Sequence, residues 1–164
     1  MIRGIHHIAI HTPQLERMLG FYRDVIGFVE VKRGEWSRNT FFDEIIGVPG
    51  SAARTVMLRA GNCHLELFEY SAPQPRPDRP LRPCDHGYTH LCLDVLDIEA
   101  EHARLSGTGM TFTRHPGDFG NLKAVYGRDP DGNIVEIQET AADHVFAMER
   151  LAPVPSRGIR SEQT

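Results

Sequence analysis

The feature that most constrains this chain is an internal repeat in which each copy carries one histidine and one glutamate in strand-like surroundings. His7 begins an apolar run and Glu66 lies between two leucines; His90 and Glu136 have matching positions in the second copy. A carboxylate in an apolar strand is costly to bury unless a cation meets it. Two such His and Glu pairs, related by a repeat, predict a metal site with four ligands.

Each copy has the pattern of a βαβββ module. The two histidines are 83 residues apart, and the helical patterns of Leu15–Val25 and Ile98–Leu105 begin with the same offset. Short apolar runs follow each helical pattern, which predicts an α+β fold of two tandem modules. One module alone would leave a sheet face uncovered, so the two must pair, within one chain or between two chains.

The repeat also defines the predicted domain organisation. We predict one domain over residues 1–140, with module one at about 5–70, a proline-rich linker at 71–83 and module two at about 87–139, followed by a segment at 141–164. The five prolines of the linker exclude a helix or a central strand and favour a stiff, extended segment. The last segment is predicted to form a short helix up to Leu151 and then a loose tail.

The first copy is longer than the second by an insertion. Glu66 and Glu136 are only 70 residues apart, so the first copy holds about 13 additional residues, which we place within Lys32–Arg54. This stretch contains turn formers without clean periodicity and carries three large aromatic residues, Trp36, Phe41 and Phe42. It is predicted to form a pocket wall or lid, or alternatively to bury against a second subunit.

Composition excludes several classes of function. The net charge is −4 without a basic stripe, which argues against nucleic acid or an anionic membrane as partner. No apolar run approaches 18 residues and the N-terminus lacks a signal-peptide pattern, so a cytoplasmic protein is expected. The three cysteines lack CxxC spacing and are expected to be reduced thiols.

Together these motifs resemble the vicinal oxygen chelate superfamily, which includes glyoxalase I, methylmalonyl-CoA epimerase, extradiol dioxygenases and bleomycin- and fosfomycin-resistance proteins. The resemblance covers about Ile5 to Glu139. It rests on five motifs: His-Ile-Ala-Ile from His7, the run Phe21–Phe28, Leu65-Glu66-Leu67, Tyr88-Thr89-His90-Leu91, and the run Asp129–Glu136.

The resemblance implies paired modules that form a half-open barrel around one divalent ion per chain. The family's metal ligands correspond to His7, Glu66, His90 and Glu136. Two imidazoles and two carboxylates suit Zn, Ni, Co, Mn or Fe(II). Open positions on the ion would take two neighbouring oxygens of a small carbonyl substrate, and the protein is expected to be a homodimer.

The implied reaction is proton transfer beside a carbonyl, as in a glyoxalase-like lyase or an epimerase/isomerase. Glu66 or Glu136 would be the general base, and the sequence leaves open which. Tyr126 is a further catalytic candidate, because it stands four residues before Pro130 as an active-site tyrosine does in extradiol dioxygenases. An Fe(II)-dependent dioxygenase is therefore one alternative, although those enzymes have no carboxylate at the position of Glu66 and do have a histidine shortly before the tyrosine.

A second alternative is a small-molecule binding or resistance protein. No motif identifies the substrate. Strand phase predicts which neighbouring polar residues stay outside the metal site: His6 should face away from His7, and Glu69 should lie on the strand face opposite Glu66. His102 should be on the exposed side of its helix. All three are predicted to be dispensable for the metal.

Overall fold

A computed structural model describes residues 4–74 and 82–151 of the chain. The chain divides into two compact units, Ile5–Asp78 and Arg79–Thr164, the latter together with Met1–Gly4. Each unit contains one mixed sheet and helices. No helix in the described part of the chain is long and apolar enough to cross a membrane.

The first unit holds a four-stranded sheet. Its elements are β1 (His7–His11), α1 (Leu15–Gly20), β2 (Val29–Ser37), α2 (Thr40–Ile46), β3 (Ala52–Ala60) and β4 (Cys63–Ala72). The helix α1 continues as a π-helical turn over Phe21–Val25. The strand order is β1-β4-β3-β2, with β1 parallel to β4 and the other pairs antiparallel.

One face of this sheet forms the core with α1. Val56 and Leu58 of β3 pair with Leu67 and Leu65 of β4, and all four side chains are buried. The inward residues of α1, including Met18, are buried as well, and α1 contacts both strands. Because side chains alternate along a strand, the residues between these positions, such as Glu66, lie on the opposite face.

The second unit repeats the arrangement. Its elements are β5 (Leu91–Asp94), α3 (Ile98–Ser106), β6 (Thr111–Phe112), β7 (Gly117–Asp118), β8 (Leu122–Arg128), β9 (Ile134–Thr140) and a 3₁₀ turn (Met148–Arg150). The strand order is β5-β9-β8-β6, β7 also pairs with β8, and β5 is parallel to β9. Ile98 and Leu105 of α3 are buried, as are Val135 and Ile137 of β9.

The predicted α+β fold with two βαβββ modules is confirmed. Both units run strand, helix and then three strands, with α2 added in the first unit and β7 in the second. In both units the first strand pairs in parallel with the last, and this pairing brings the ends of each repeat together.

The predicted helix between Ala141 and Leu151 is wrong. Only the 3₁₀ turn Met148–Arg150 forms, after turns in which the His144 amide donates to the Ala141 carbonyl. A short helix needs a buried apolar stripe for stability, whereas Val145, Phe146 and Leu151 are exposed. The predicted loose tail beyond residue 151 lies outside the described residues.

The boundary of the linker differs from the prediction. The linker does not begin at 71, because β4 continues through Ala72; residues 75–81 lie outside the described part of the chain.

The insertion at Lys32–Arg54 forms regular elements although its sequence lacks a clean periodicity. Its first part extends β2 to Ser37, and α2 follows. As the last strand in the sheet order, β2 is largely exposed and shows no apolar alternation to reveal it.

Candidate metal centre

The first unit brings His7 and Glu66 together across neighbouring strands. β1 and β4 are parallel with Ala9 opposite Glu66, so His7, two residues earlier, shares the face of the carboxylate. The distance from His7 Nε2 to Glu66 Oε2 is 3.5 Å. The Glu66 side chain is 18% exposed although it is charged at neutral pH in water.

The second unit contains the same pair. β5 and β9 are parallel with Cys92 opposite Glu136, which places His90, two residues before Cys92, on the face of Glu136. His90 Nε2 lies 3.0 Å from Glu136 Oε2, and the Glu136 side chain is 14% exposed. The repeat seen in the sequence is therefore also present in the geometry of the two His–Glu pairs.

The electrostatic surroundings of these carboxylates fit a bound cation. Within residues 4–74 and 82–151, each carboxylate has a histidine as ion-pair partner and no arginine or lysine. Burial raises the pKa of Glu66, against the opposing effect of His7 and His6. A half-buried carboxylate beside an imidazole nitrogen is a suitable ligand pair for a divalent ion of intermediate hardness.

Neither unit supplies a complete site. The part of the chain that the structure describes contains no group of three or more His, Cys, Asp or Glu side chains arranged to hold a metal. The structure thus brings the four predicted ligands together as two pairs, and the four-ligand site stays a prediction.

Glu136 has two further neighbours. Tyr126 stands opposite it in the β8–β9 ladder, and Cys92 stands opposite it in the β5–β9 ladder. The Tyr126 ring also packs edge-to-face on His90 at 5.0 Å. Desolvation, together with the charge of Glu136, raises the pKa of Cys92 to about 12 and raises the pKa of Tyr126, although Cys92 is exposed on the surface of this unit. Sequence analysis missed Cys92, although its position two residues after His90 gives it the same strand phase.

The residue before each histidine contacts the other ring nitrogen. His6 Nδ1 lies 2.9 Å from His7 Nδ1, and Thr89 Oγ1 lies 2.8 Å from His90 Nδ1. The prediction that His6 faces away from His7 is therefore wrong. The reason is that β1 begins at His7, so strand alternation does not govern His6, whose ring stacks on His64 at 5.0 Å.

Glu69 lies on the face of β4 opposite Glu66, as strand phase predicts, and has a structural role. Its carboxylate accepts from the Leu15 amide at 3.2 Å, at the start of α1, and from Arg54 Nε at 2.8 Å. Burial opposes ionisation, but these hydrogen bonds keep the pKa of Glu69 low. Glu139 does the same in the second unit, accepting from the Ile98 amide at 2.8 Å. Sequence analysis overlooked the signal for this role, which is a glutamate three residues after each predicted glutamate ligand.

His102 is less exposed than predicted. It is only half-exposed and its ring packs against Phe112 at 4.5 Å, with His115 on the same side. The reason is that α3 packs against β6, the strand that contains Phe112.

An aromatic cluster forms on the Glu66 face of the first unit. It consists of Trp36, Phe42, Phe68 and Tyr70. Phe68 and Tyr70 follow Glu66 at two and four residues, on the same strand face, and the Trp36 ring stacks on Phe42 at 5.1 Å. Thus two of the three aromatic residues of the insertion join the cluster, whereas Phe41 is 67% exposed.

A hydrogen-bonded chain holds this cluster in place. Trp36 Nε1 donates to Ser51 Oγ at 2.8 Å, and Ser51 Oγ donates to Asp43 Oδ1 at 2.6 Å. Asp43 also accepts from the Gly50 and Ser51 amides, so α2 is tied to the start of β3. These hydrogen bonds lower the pKa of Asp43, the Ser51 hydroxyl contributing most.

Comparison with known proteins identifies the family. The model of the Glyoxalase/Bleomycin resistance protein/Dioxygenase superfamily matches residues 4–137, which is most of the chain. The chain belongs to this superfamily.

Relatives of this superfamily member include enzymes of two kinds. It is 36% identical over 105 residues to the 2-epi-5-epi-valiolone epimerase of an Actinomyces species, an alignment that covers 59% of this chain and 54% of that relative. The alignment thus spans about half the length of the epimerase. Identity to the lactoylglutathione lyase of Neisseria meningitidis is 23%, over 86% of this chain and 94% of the lyase.

The fold of this superfamily member also matches solved structures. The crystal structure of a glyoxalase family protein from Bacillus cereus superposes with a TM-score of 0.77 at 19% identity, covering 87% of this chain and 96% of the other. At this identity the match shows the fold alone. The family-model match therefore confirms the superfamily predicted from the sequence motifs, and the structural match confirms the fold.

Proposed function

We propose that the protein is a divalent-metal-dependent enzyme that moves a proton at the carbon beside a carbonyl group, as an epimerase/isomerase or a lyase. The observation that carries the proposal is the duplicated His–Glu pair, with both carboxylates mostly buried and opposed by imidazole. The names of the relatives, an epimerase and a lyase, support the same class of reaction. We propose a cytoplasmic homodimer as its working form.

His7, Glu66, His90 and Glu136 would together hold the ion. A divalent ion bound there supplies Lewis acidity, which polarises the carbonyl of a substrate that presents two neighbouring oxygens and acidifies the adjacent C–H. The donor set suits Zn, Ni, Co, Mn and Fe(II) alike.

We assign the general base to Glu66. Glu136 pairs with His90 at 3.0 Å and stands opposite Tyr126 and Cys92 in the strand ladders. Glu66 pairs with His7 at the longer distance of 3.5 Å and stands opposite apolar residues. A carboxylate with fewer polar neighbours rearranges at lower cost, so Glu66 is the better placed to accept the substrate proton and return it. Tyr126 and Cys92 would restrict the orientation of Glu136.

Epimerisation is the version of this chemistry that we favour. Of the two enzymes compared, the epimerase has the higher identity, 36% against 23% for the lyase. A cyclic hydroxyketone would suit this chemistry, because it has adjacent carbonyl and hydroxyl oxygens and an acidic C–H on the carbon that bears the hydroxyl. The presence of Glu66 beside His7 argues against the dioxygenase alternative, whose members have no carboxylate there.

The test is proton exchange with solvent. Metal-loaded protein is incubated without oxygen in D₂O with a cyclic hydroxyketone or with the methylglyoxal–glutathione hemithioacetal, and deuterium at the carbon beside the carbonyl is measured by NMR. We expect incorporation that depends on metal and falls about a hundredfold or more in Glu66→Gln, since general-base catalysis typically contributes 10²–10⁴-fold.

Two outcomes would overturn the proposal. Stoichiometric oxygen consumption with ring cleavage of a catechol would make the protein a dioxygenase. Tight binding of these compounds by metal-free protein, with no exchange after metal loading, would make it a binding protein. An equal loss in Glu136→Gln with none in Glu66→Gln would move the base to Glu136.

A further inference from the structure

The two histidines of the candidate centre are held at the same ring atom by different residues. In each unit Nε2 points toward the glutamate, at 3.5 Å for His7 and 3.0 Å for His90. In each unit Nδ1 contacts the side chain of the preceding residue, His6 at 2.9 Å and Thr89 at 2.8 Å. An imidazole nitrogen and a hydroxyl oxygen can both hydrogen bond to a ring nitrogen, so the repeated contact at Nδ1 points to a repeated role.

We propose that His6 and Thr89 are positioning residues that fix the ring orientation and tautomer of His7 and His90, so that Nε2 of each is presented to the metal. This inference rests on the proposed metal-dependent function.

The proton arrangement supports this role. When Nε2 uses its lone pair for a metal, the ring proton stays on Nδ1, which must then find an acceptor. In that tautomer Thr89 Oγ1 would accept from His90 Nδ1–H, and His6 would accept at Nδ1 with its own proton on Nε2. Hydrogen bonds of this kind orient metal-ligating histidines, and their loss typically weakens metal binding by 10–100-fold.

The environment of His6 restricts its ring further. It stacks on His64, at a ring-centre distance of 5.0 Å with 23° between the planes. His64 Nδ1 lies 3.2 Å from the His6 carbonyl oxygen. The ring that contacts His7 is therefore supported from β4, which also carries Glu66. The Thr89 side chain is short and has few rotamers, which restricts the position of its hydroxyl.

Matched variants separate positioning from general structural effects. Thr89→Val keeps the shape and removes the hydroxyl, whereas Thr89→Ser keeps the hydroxyl. His6→Leu removes the hydrogen-bonding nitrogen, whereas His6→Asn keeps a polar atom near the place of Nδ1. Thr108→Val and His115→Leu are controls in the second unit: Thr108 Oγ1 donates to the Leu105 carbonyl, and His115 pairs with Glu99.

The measurement is the dissociation constant of Co(II) from each full-length variant, by competition with a chromophoric chelator at one fixed pH, together with the visible absorption spectrum of the Co(II) form. We expect Thr89→Val and His6→Leu to bind Co(II) about 10–100-fold more weakly with a changed spectrum. Thr89→Ser, His6→Asn and both controls should remain within a few-fold of wild type.

The outcomes are distinguishable from failure of the proposed function. If wild-type protein binds no Co(II), the metal-dependent function itself is wrong. If wild type binds Co(II) and the Val and Leu variants bind it equally well with the same spectrum, the positioning role is wrong. If the Ser and Asn variants lose as much affinity as the Val and Leu variants, hydrogen bonding is not the cause, and the role is again wrong.

Discussion

Glu66 and Glu69 show how two carboxylates three residues apart on one strand serve opposite sides of a sheet. Glu66 lies beside His7 on the face of the aromatic cluster, whereas Glu69 accepts the first amide of α1 on the helix side. Glu136 and Glu139 repeat the division in the second unit. The spacing therefore separates a candidate ligand from a helix anchor within one short motif.

Replacing each of the two glutamates by alanine tests this division of roles. Glu66→Ala should lose most bound metal and keep its melting temperature in the metal-free form. Glu69→Ala should keep one metal ion per chain and lose on the order of 1 kcal/mol of unfolding free energy, because the Leu15 amide loses its acceptor. Metal analysis and urea denaturation of both variants provide the measurement. A metal-free Glu69→Ala protein would show that the strand faces are assigned wrongly.

Among the elements, the insertion of the first unit is the one without a counterpart. It extends β2 and adds α2, and it delivers Trp36 and Phe42 to the face that carries Glu66. The helix begins with Asn39, whose side chain accepts from the Phe42 amide, and ends at Gly47 with a left-handed backbone. A capping side chain at the start and a left-handed glycine at the end both stabilise a helix, so they help this short helix to form.

Two adjacent phenylalanines on α2 allow a matched test of its role. Phe42→Ala should raise KM about two- to twelvefold with little change in kcat, because a lost aromatic contact is worth roughly 0.5–1.5 kcal/mol. Phe41→Ala is the control, since Phe41 is 67% exposed. Steady-state kinetics on metal-loaded protein give the answer. If Phe42→Ala instead leaves KM unchanged and converts a dimer to monomers in light scattering, the insertion is a subunit interface.

The anchoring of α2 should depend on pH through Asp43. Its pKa is lowered in the folded state, so its stabilising effect is complete above the unfolded pKa of about 4 and is lost as pH falls through the folded pKa. The melting temperature of Asp43→Asn should therefore lie below that of wild type at neutral pH, and the gap should narrow in acid below about pH 4. Thermal denaturation at both pH values measures this, and a gap independent of pH would contradict it.

At the scale of the whole molecule, the repeat places half of the proposed ligand set in each unit. Within the described residues no three such side chains lie together, so the proposed ion would need both pairs. The proposed function would then depend on both modules.

We expect one divalent ion per chain in wild-type protein and a marked loss in either His7→Ala or His90→Ala, because the ion would lose one of its four proposed ligands. Metal content is measured by mass spectrometry on protein purified without chelator. Normal content in the double variant His7→Ala/His90→Ala would exclude the assignment.

Mixing the two single variants identifies the pairing of modules. After unfolding and refolding together, a site built from two chains would regain metal, since some sites then combine two unaltered modules. A site built within one chain would regain none. The single variants refolded separately are the control.

The sequence by itself determined the superfamily, the two βαβββ modules and the pairing of each histidine with its glutamate. The modules and the pairs follow from patterns of period two and from a repeat, and the superfamily follows from the five motifs that resemble it; such local signals persist whatever the modules pack against. Strand phase within β4 was likewise sufficient to separate Glu66 from Glu69.

Only the tertiary structure decided the contacts of His6 and Thr89, the positions of Cys92 and Tyr126 opposite Glu136, and the absence of a helix at 141–147 from the described chain. His6, just before β1, stacks on His64 of β4, and Cys92 lies opposite Glu136 across two parallel strands that are far apart in the chain. Such contacts depend on strand register, and a shift of one residue would turn every side chain to the other face. The residues that hold the ligands in place are therefore selected by the register of the folded sheet, because local periodicity carries no information about it.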